Sequence, residues 1–146
     1  MYSQRYNRLP AAASRVTSAK HTRNFTAEQI GSVGRGVTVL SVSSDGRLLV
    51  GQWGDRQLHV YSIDGSHVTS ITLPNGDTVL DAVWTLRGNI VCATDSNKVV
   101  VVTQRGDVIH QTQLHSVPLC LSVSADDVIY LADYQTGVYQ STDDGE

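Results

Sequence analysis

The chain has 146 residues, 40% of them hydrophobic and 17% charged, with a formal net charge of −3. That is enough to bury the core of one ordinary domain. No apolar run is long enough to cross a bilayer as a helix, and the first residues lack the continuous apolar stretch of a secretory signal. The charge is unevenly placed. Residues 31–146 hold six Lys/Arg against 13 Asp/Glu, a net of −7, which argues against a broad phosphate-binding face.

Residues 1–23 carry Arg5, Arg8, Arg15, Lys20 and Arg23 without an acid. The composition is similar to an organellar transit peptide, but a flexible basic tail is the simpler reading. The Asn24-Phe25-Thr26 sequon is read as a chance match, because no secretion signal accompanies it. A cytoplasmic location is expected. Residues 24–30 are read as a strand. From there the pattern is one of short apolar runs between turns. The runs 38–43, 47–53, 57–63 and 67–74 are rich in Val, Leu and Tyr and bounded by Gly, Asp or Ser, which marks strands. Ser44-Asp45-Gly46 and Ile63-Asp64-Gly65 supply hairpin chemistry, with Gly taking the positive φ. The same pattern returns at 78–85, 89–95, 98–104 and 107–114, and again at 117–124, 127–133 and 137–142.

The turns align. SSDG at 43–46 matches TLRG at 85–88 and SADD at 124–127, and SIDG at 62–65 matches TQRG at 103–106 and TDDG at 142–145. A four-stranded unit repeating at about forty residues is the mark of a β-propeller blade. The fold class expected is therefore all-β, with blades of four antiparallel strands and about three blades forming an incomplete ring. The organisation expected is a tail over 1–23 and a partial propeller over 24–146. The propeller comprises an outer strand (24–30), a blade (37–74), a second blade (78–114) and an unfinished third (117–146). Val39, Leu49, Val60, Ile71, Leu80, Val91 and Val101 are the expected core, by period-2 alternation.

The stretch SSDGRLLVGQWGDRQLHVYSIDG resembles an NHL-type blade of the tripartite-motif NHL kind. Leu131-Ala132-Asp133 and Cys92-Ala93-Thr94-Asp95 fit the family's second-strand ending, and Val50-Gly51-Gln52-Trp53 departs from it. The resemblance covers residues 37–146 and implies the fold; by analogy to some NHL proteins it also raises nucleic-acid binding, against which the acidic body argues. Ser141-Thr142-Asp143-Asp144-Gly145 is similar to an Asp-box, a structural turn of sialidase-like propellers.

No catalytic residue, metal ligand or cofactor site is expected. The only glutamates are Glu28 and Glu146, and Asp81 alone makes no site for a hard cation. His59, His67, His110 and His115 lack HxH or HExxH spacing. Ser41, Ser43 and Ser122 have no nucleophile elbow around them. Cys92 and Cys120 sit inside apolar runs and read as small packing thiols. The function expected is a non-catalytic propeller interaction module for a protein or peptide partner. The alternative is a hydrolase with its site in the central channel, which would need polar groups converging near Val39, Leu80 and Leu119. Trp53 and Trp84 are read first as packing between blades. As partner contacts the candidates are Trp84, Arg87, Trp53 and Arg56, since large aromatics at strand ends can anchor a partner, and Trp84 is the better placed because the loop Thr85-Leu86-Arg87-Gly88 follows it directly. Three blades fall below the 4–8 that close a propeller. The ring is expected to be completed by further blades of a longer chain, the preferred reading, or by a homodimer in which strand 24–30 joins the other copy's third blade. In the second case Lys20 and Arg23 would lie beside Asp143, Asp144 and Glu146.

Overall fold

In the computed structural model, residues 36–142 are described; the expected tail (1–23), the strand at 24–30 and the Asp-box residues 143–145 lie outside them. Eleven strands follow in order: β1 (Val37–Val42), β2 (Leu48–Gln52), β3 (Gln57–Tyr61), β4 (His67–Thr72), β5 (Val79–Trp84), β6 (Ile90–Thr94), β7 (Lys98–Val102), β8 (Val108–Gln113), β9 (Pro118–Val123), β10 (Val128–Asp133) and β11 (Val138–Thr142). They form three antiparallel sheets, β1-β2-β3-β4, β5-β6-β7-β8 and β9-β10-β11. Each sheet is a blade. The first strands β1, β5 and β9 lie side by side. The described strands make three blades and do not close a ring.

The hairpins form because the turn residues satisfy their own backbone. In the turn between β1 and β2, Gly46 N donates to Ser43 O at 3.0 Å, and Ser43 N donates to Arg47 O at 2.8 Å. Ser43 Oγ then accepts from Arg47 N at 2.8 Å. Thr85 does the same for Asn89 N at 3.1 Å, and Ser124 for Val128 N at 3.1 Å. A hydroxyl at the first turn position and a positive φ at the fourth therefore define the repeat. Gly46 and Gly88 take that φ at 86° and 83°. Asp127 takes it at 62° in the third blade, where an aspartate tolerates the left-handed region.

The repeat extends to irregularities. Each first strand bulges at one place, at Thr38, Leu80 and Leu119, where the register against the second strand slips by one residue. The fourth strands β4 and β8 bulge at Val68 and Ile109. The bulge corrects one sequence expectation: Leu80 is the extra residue, falls out of alternation and is only half-buried, while Val79 takes the core position. Val39, Leu49, Val60, Ile71, Val91 and Val101 are buried as expected.

Two cores hold the blades together. Between blades 1 and 2, Leu49, Leu58, Val60 and Ile71 meet Trp84, Ile90 and Val102. Between blades 2 and 3, Val91, Ala93 and Val101 meet Leu121, Ile129 and Leu131. Blade 2 thus presents alternate residues to its two neighbours. Inner strands and the turns that follow them are also cross-linked by hydrogen bonds. Trp84 N donates to Ser41 Oγ at 3.1 Å, Leu121 N to Asp81 Oδ2 at 2.7 Å, and Leu86 N to Asp127 Oδ1 at 2.6 Å.

Candidate functional site

The four residues singled out from the sequence do not form one site. Every blade runs its first strand toward one rim and its second strand back to the other. Trp84 and Arg87 therefore belong to the rim of the turns 43–46, 85–88 and 124–127, and Trp53 and Arg56 to the opposite rim.

On the first rim, Trp84 is 5% exposed and belongs to the core between blades 1 and 2, so its ring packs rather than presents a surface. The Arg47 guanidinium stands 5.5 Å over that ring. It also bonds to Asp45 and to Gln104 Oε1, which ties blade 1 to the outer turn of blade 2. Arg87 is exposed, with Nε 3.8 Å from Asp127 Oδ2. Arg87, Asn89, Gln104, Arg105 and Asp107 line a shallow polar depression beside it.

The opposite rim carries large exposed aromatics. Trp53 is 76% exposed and Tyr134 is 74% exposed. Both directly follow a second strand, and both donate their backbone N–H to the segment before the first strand. Trp53 N reaches Gly36 O at 2.9 Å and Tyr134 N reaches Val117 O at 3.0 Å. Asp95 is the equivalent in blade 2, with N to Thr78 O at 3.1 Å. The row across the three blades is therefore Trp53, Asp95, Tyr134. Arg56 lies against the turn at 74–76, where Gly76 leaves room for its side chain. The loop under Tyr134 is built by Asp133, whose Oδ1 accepts from the N–H groups of Gln135, Thr136 and Gly137 at 3.1, 2.6 and 3.0 Å. The Thr136 hydroxyl and these amides hold the Asp133 carboxyl well below the usual carboxylate range. The expectation that Trp53 packs between blades does not match its exposure.

The inner strands offer one carboxylate. Asp81 is half-buried, and its two oxygens accept from Ala82 N at 2.9 Å and Leu121 N at 2.7 Å. Of the positions where the channel reading wanted polar convergence, Val39 is fully buried, Leu80 half-buried and Leu119 exposed. Burial raises the Asp81 pKa above its ordinary value, against the pull of those two amides. Burial, and secondarily the Asp81 charge, pushes the Cys92 thiol up, so it stays protonated and inert. A carboxylate whose folded pKa is raised contributes most stability below its unfolded value and loses that contribution as pH rises through the folded value. The stability difference between wild type and Asp81→Asn is therefore expected to shift against wild type as pH rises from about 4 toward neutrality. Urea titrations of both proteins across that window check it; a difference independent of pH would refute it.

A second polar group lies on the outer strands of blade 1. His59 Nε2 is 3.2 Å from Asp55 Oδ2, and its Nδ1 is 2.9 Å from Ser70 Oγ. His67 Nε2 meets the same Ser70 oxygen at 2.9 Å. A carboxylate, imidazole and hydroxyl in line can activate a serine. Here the hydroxyl is shared by two imidazoles and stands on β3 and β4, away from the inner strands. With His59 directly opposite Ser70, the chain of bonds pins the β3–β4 register. Among the described residues, no group of three His, Cys, Asp or Glu could hold a metal ion.

No family model and no curated protein matches the chain. Solved structures do. Virginiamycin B lyase from Staphylococcus aureus superposes with a TM-score of 0.64 at 20% identity, over 76% of this chain and 39% of the lyase. Raptor from Chaetomium thermophilum superposes with a TM-score of 0.67 at 12% identity, over 78% of this chain and 12% of Raptor. The chain spans well under half of either protein. At these identities the likeness shows the fold, a propeller-like arrangement of blades.

Proposed function

We propose that the chain is a non-catalytic propeller interaction module that binds a protein or peptide partner across the rim bearing Trp53, Arg56 and Tyr134. The reading rests on one observation: two large aromatics stand about three-quarters exposed at equivalent positions on the same rim. Burying such rings against a partner recovers apolar area that folding left exposed. A neighbouring arginine adds the third residue type that dominates hot spots. At 20% and 12% identity the two structural neighbours speak for the fold alone.

Selection from a displayed random peptide library against the 146-residue chain tests it. Enriched peptides are expected to lose on the order of 30-fold in affinity, about 2 kcal/mol, when Trp53 or Tyr134 is replaced by alanine. Arg105→Ala, on the opposite rim, is expected to leave binding unchanged. Peptides that bind both variants as tightly as wild type would place the contact elsewhere.

A further inference from the structure

We propose that the shallow polar depression on the rim of blade 2 is a site for the side-chain carboxylates of an acidic peptide, held by Arg87, Arg105 and Gln104. It lies on the rim opposite Trp53, apart from the surface proposed above. The two hairpins of blade 2 that reach this rim carry one pattern, Thr85-Leu86-Arg87-Gly88 and Thr103-Gln104-Arg105-Gly106. They are built alike. Gly88 N donates to Thr85 O at 3.0 Å, and Gly106 N to Thr103 O at 2.9 Å. The two hydroxyls accept from Asn89 N at 3.1 Å and from Asp107 N at 3.2 Å. The third turn position is thus arginine twice, exposed both times. In blade 1 the same position holds Asp45 and Asp64, and in the first hairpin of blade 3 it holds Asp126.

The aspartates of blade 1 serve their own turns. Ser43 Oγ donates to Asp45 Oδ1 and Ser62 Oγ to Asp64 Oδ1, and Ser66 N donates to Asp64 Oδ1 at 3.0 Å. Arginine has no acceptor and can make none of these bonds. Both turns of blade 2 therefore give up a local bond, and a planar, permanently charged donor stands in its place. Contacts bring the two turns together. A Cβ on Gly88 would lie 3.0 Å from Gln104 Nε2, so the amide occupies the space that a side chain there would need. Arg47 donates to Gln104 Oε1, which fixes the orientation of that amide and leaves Nε2 as a donor. Arg87, Gln104 and Arg105 all line the one depression. Arg87 Nε stands 3.8 Å from Asp127 Oδ2, and among the described residues the Arg105 guanidinium has no partner.

Charge and shape set the class of ligand. Guanidinium groups take carboxylates and phosphates in the same two-pronged way. Residues 36–142 hold ten Asp and no Glu against five Lys/Arg, which penalises a dianion more than a single carboxylate. Asp107 also lines the depression, its Oδ2 accepting from the Thr103 hydroxyl at 3.4 Å. It repels a bare anion but can accept from a donor beside one. A peptide supplies both groups, a backbone N–H next to an acidic side chain. Small-molecule sites enclose most of their ligand, so a shallow depression suits a protruding chain instead.

Residue-resolved amide NMR of the 146-residue chain, titrated with hexaglutamate at low ionic strength, tests the site and separates it from the basic residues of 1–23. The backbone amides of Gly88 and Gly106 and the side-chain amide of Gln104 are expected to shift and saturate, and to stay in place with hexaglutamine. Arg105→Gln is expected to weaken the binding read from Gly88 and Gly106 at least about tenfold, with an unchanged circular dichroism spectrum. Gln104→Glu keeps an acceptor for Arg47 but puts a carboxylate into the depression, and is expected to act in the same direction. Lys98→Gln removes as much charge as Arg105→Gln, but beside Asp77 on the opposite rim, and is expected to leave the binding unchanged. Peptides that depend on Trp53 are held on that opposite rim and are indifferent to Arg105. Shifts confined to residues outside the depression, a Lys98 variant as weak as the Arg105 variant, or a phosphoserine peptide that binds more tightly than a glutamate peptide of the same length would overturn the proposal.

Discussion

Leu49→Ala is expected to remove about 3 kcal/mol of stability and to lower the thermal midpoint by on the order of 10 °C. Leu49 is fully buried on β2, between Ser41 on β1 and Val60 on β3. It sits in the core shared by blades 1 and 2, so its loss opens a void that two sheets would have to close together. Sheets pinned by their own ladders and by the Ser41–Trp84 bond relax little, which places the cost above the simple transfer value. Ile63→Ala is the control. Ile63 lies in a turn and is exposed, and its loss is expected to change stability by no more than about 0.5 kcal/mol. Denaturant titration of the three proteins measures both. A Leu49 variant as stable as the Ile63 variant would mean that blades 1 and 2 do not share a core.

The strands were legible because two short-range signals agree at nearly every boundary. Alternation marks the runs, and a hydroxyl, two further residues and then glycine mark the turns, whose hydrogen bonds are local and need no tertiary context. What was not legible depends on register. Leu80 reads as core because alternation counts every residue, whereas a bulge spends one residue without using a face. The same bulge at Thr38 and Leu119 shows it to be part of the repeat, but no residue type announces it, since threonine and leucine both occupy it. The two tryptophans carry the same local signal, a large aromatic at a strand end, and have opposite fates. Trp84 ends an inner strand that faces the preceding blade; Trp53 begins the loop on the far rim. Tyr134 escaped notice altogether. It is found by aligning the residue after each second strand, which sets Trp53, Asp95 and Tyr134 in one column.

Gly51→Ala, although it restores the alanine that the other two blades carry at this position, is expected to destabilise the chain by about 1–3 kcal/mol. Gly51 pairs with Val39, as Ala93 pairs with Asp81 and Ala132 with Cys120. A Cβ on Gly51 would lie 2.9 Å from Val39 Cβ and 3.0 Å from Leu58 Cδ2. Leu58 can turn its terminal methyl aside, but Val39 Cβ is fixed to the β1 backbone and cannot. The departure of Val50-Gly51-Gln52-Trp53 from the repeat is therefore half of an exchange: blade 1 puts the bulk on β1 and removes it from β2. Cysteine keeps its Cβ, so the strain is expected to be relieved by Val39→Gly, which removes Cβ and Cγ2 together. The double variant Val39→Gly/Gly51→Ala is expected to be more stable than the sum of the single effects predicts, with a coupling of about 1 kcal/mol or more. Chemical denaturation of the wild type, both single variants and the double variant closes the cycle. Strict additivity would show that the close approach of position 51 to Val39 is not what fixes glycine there.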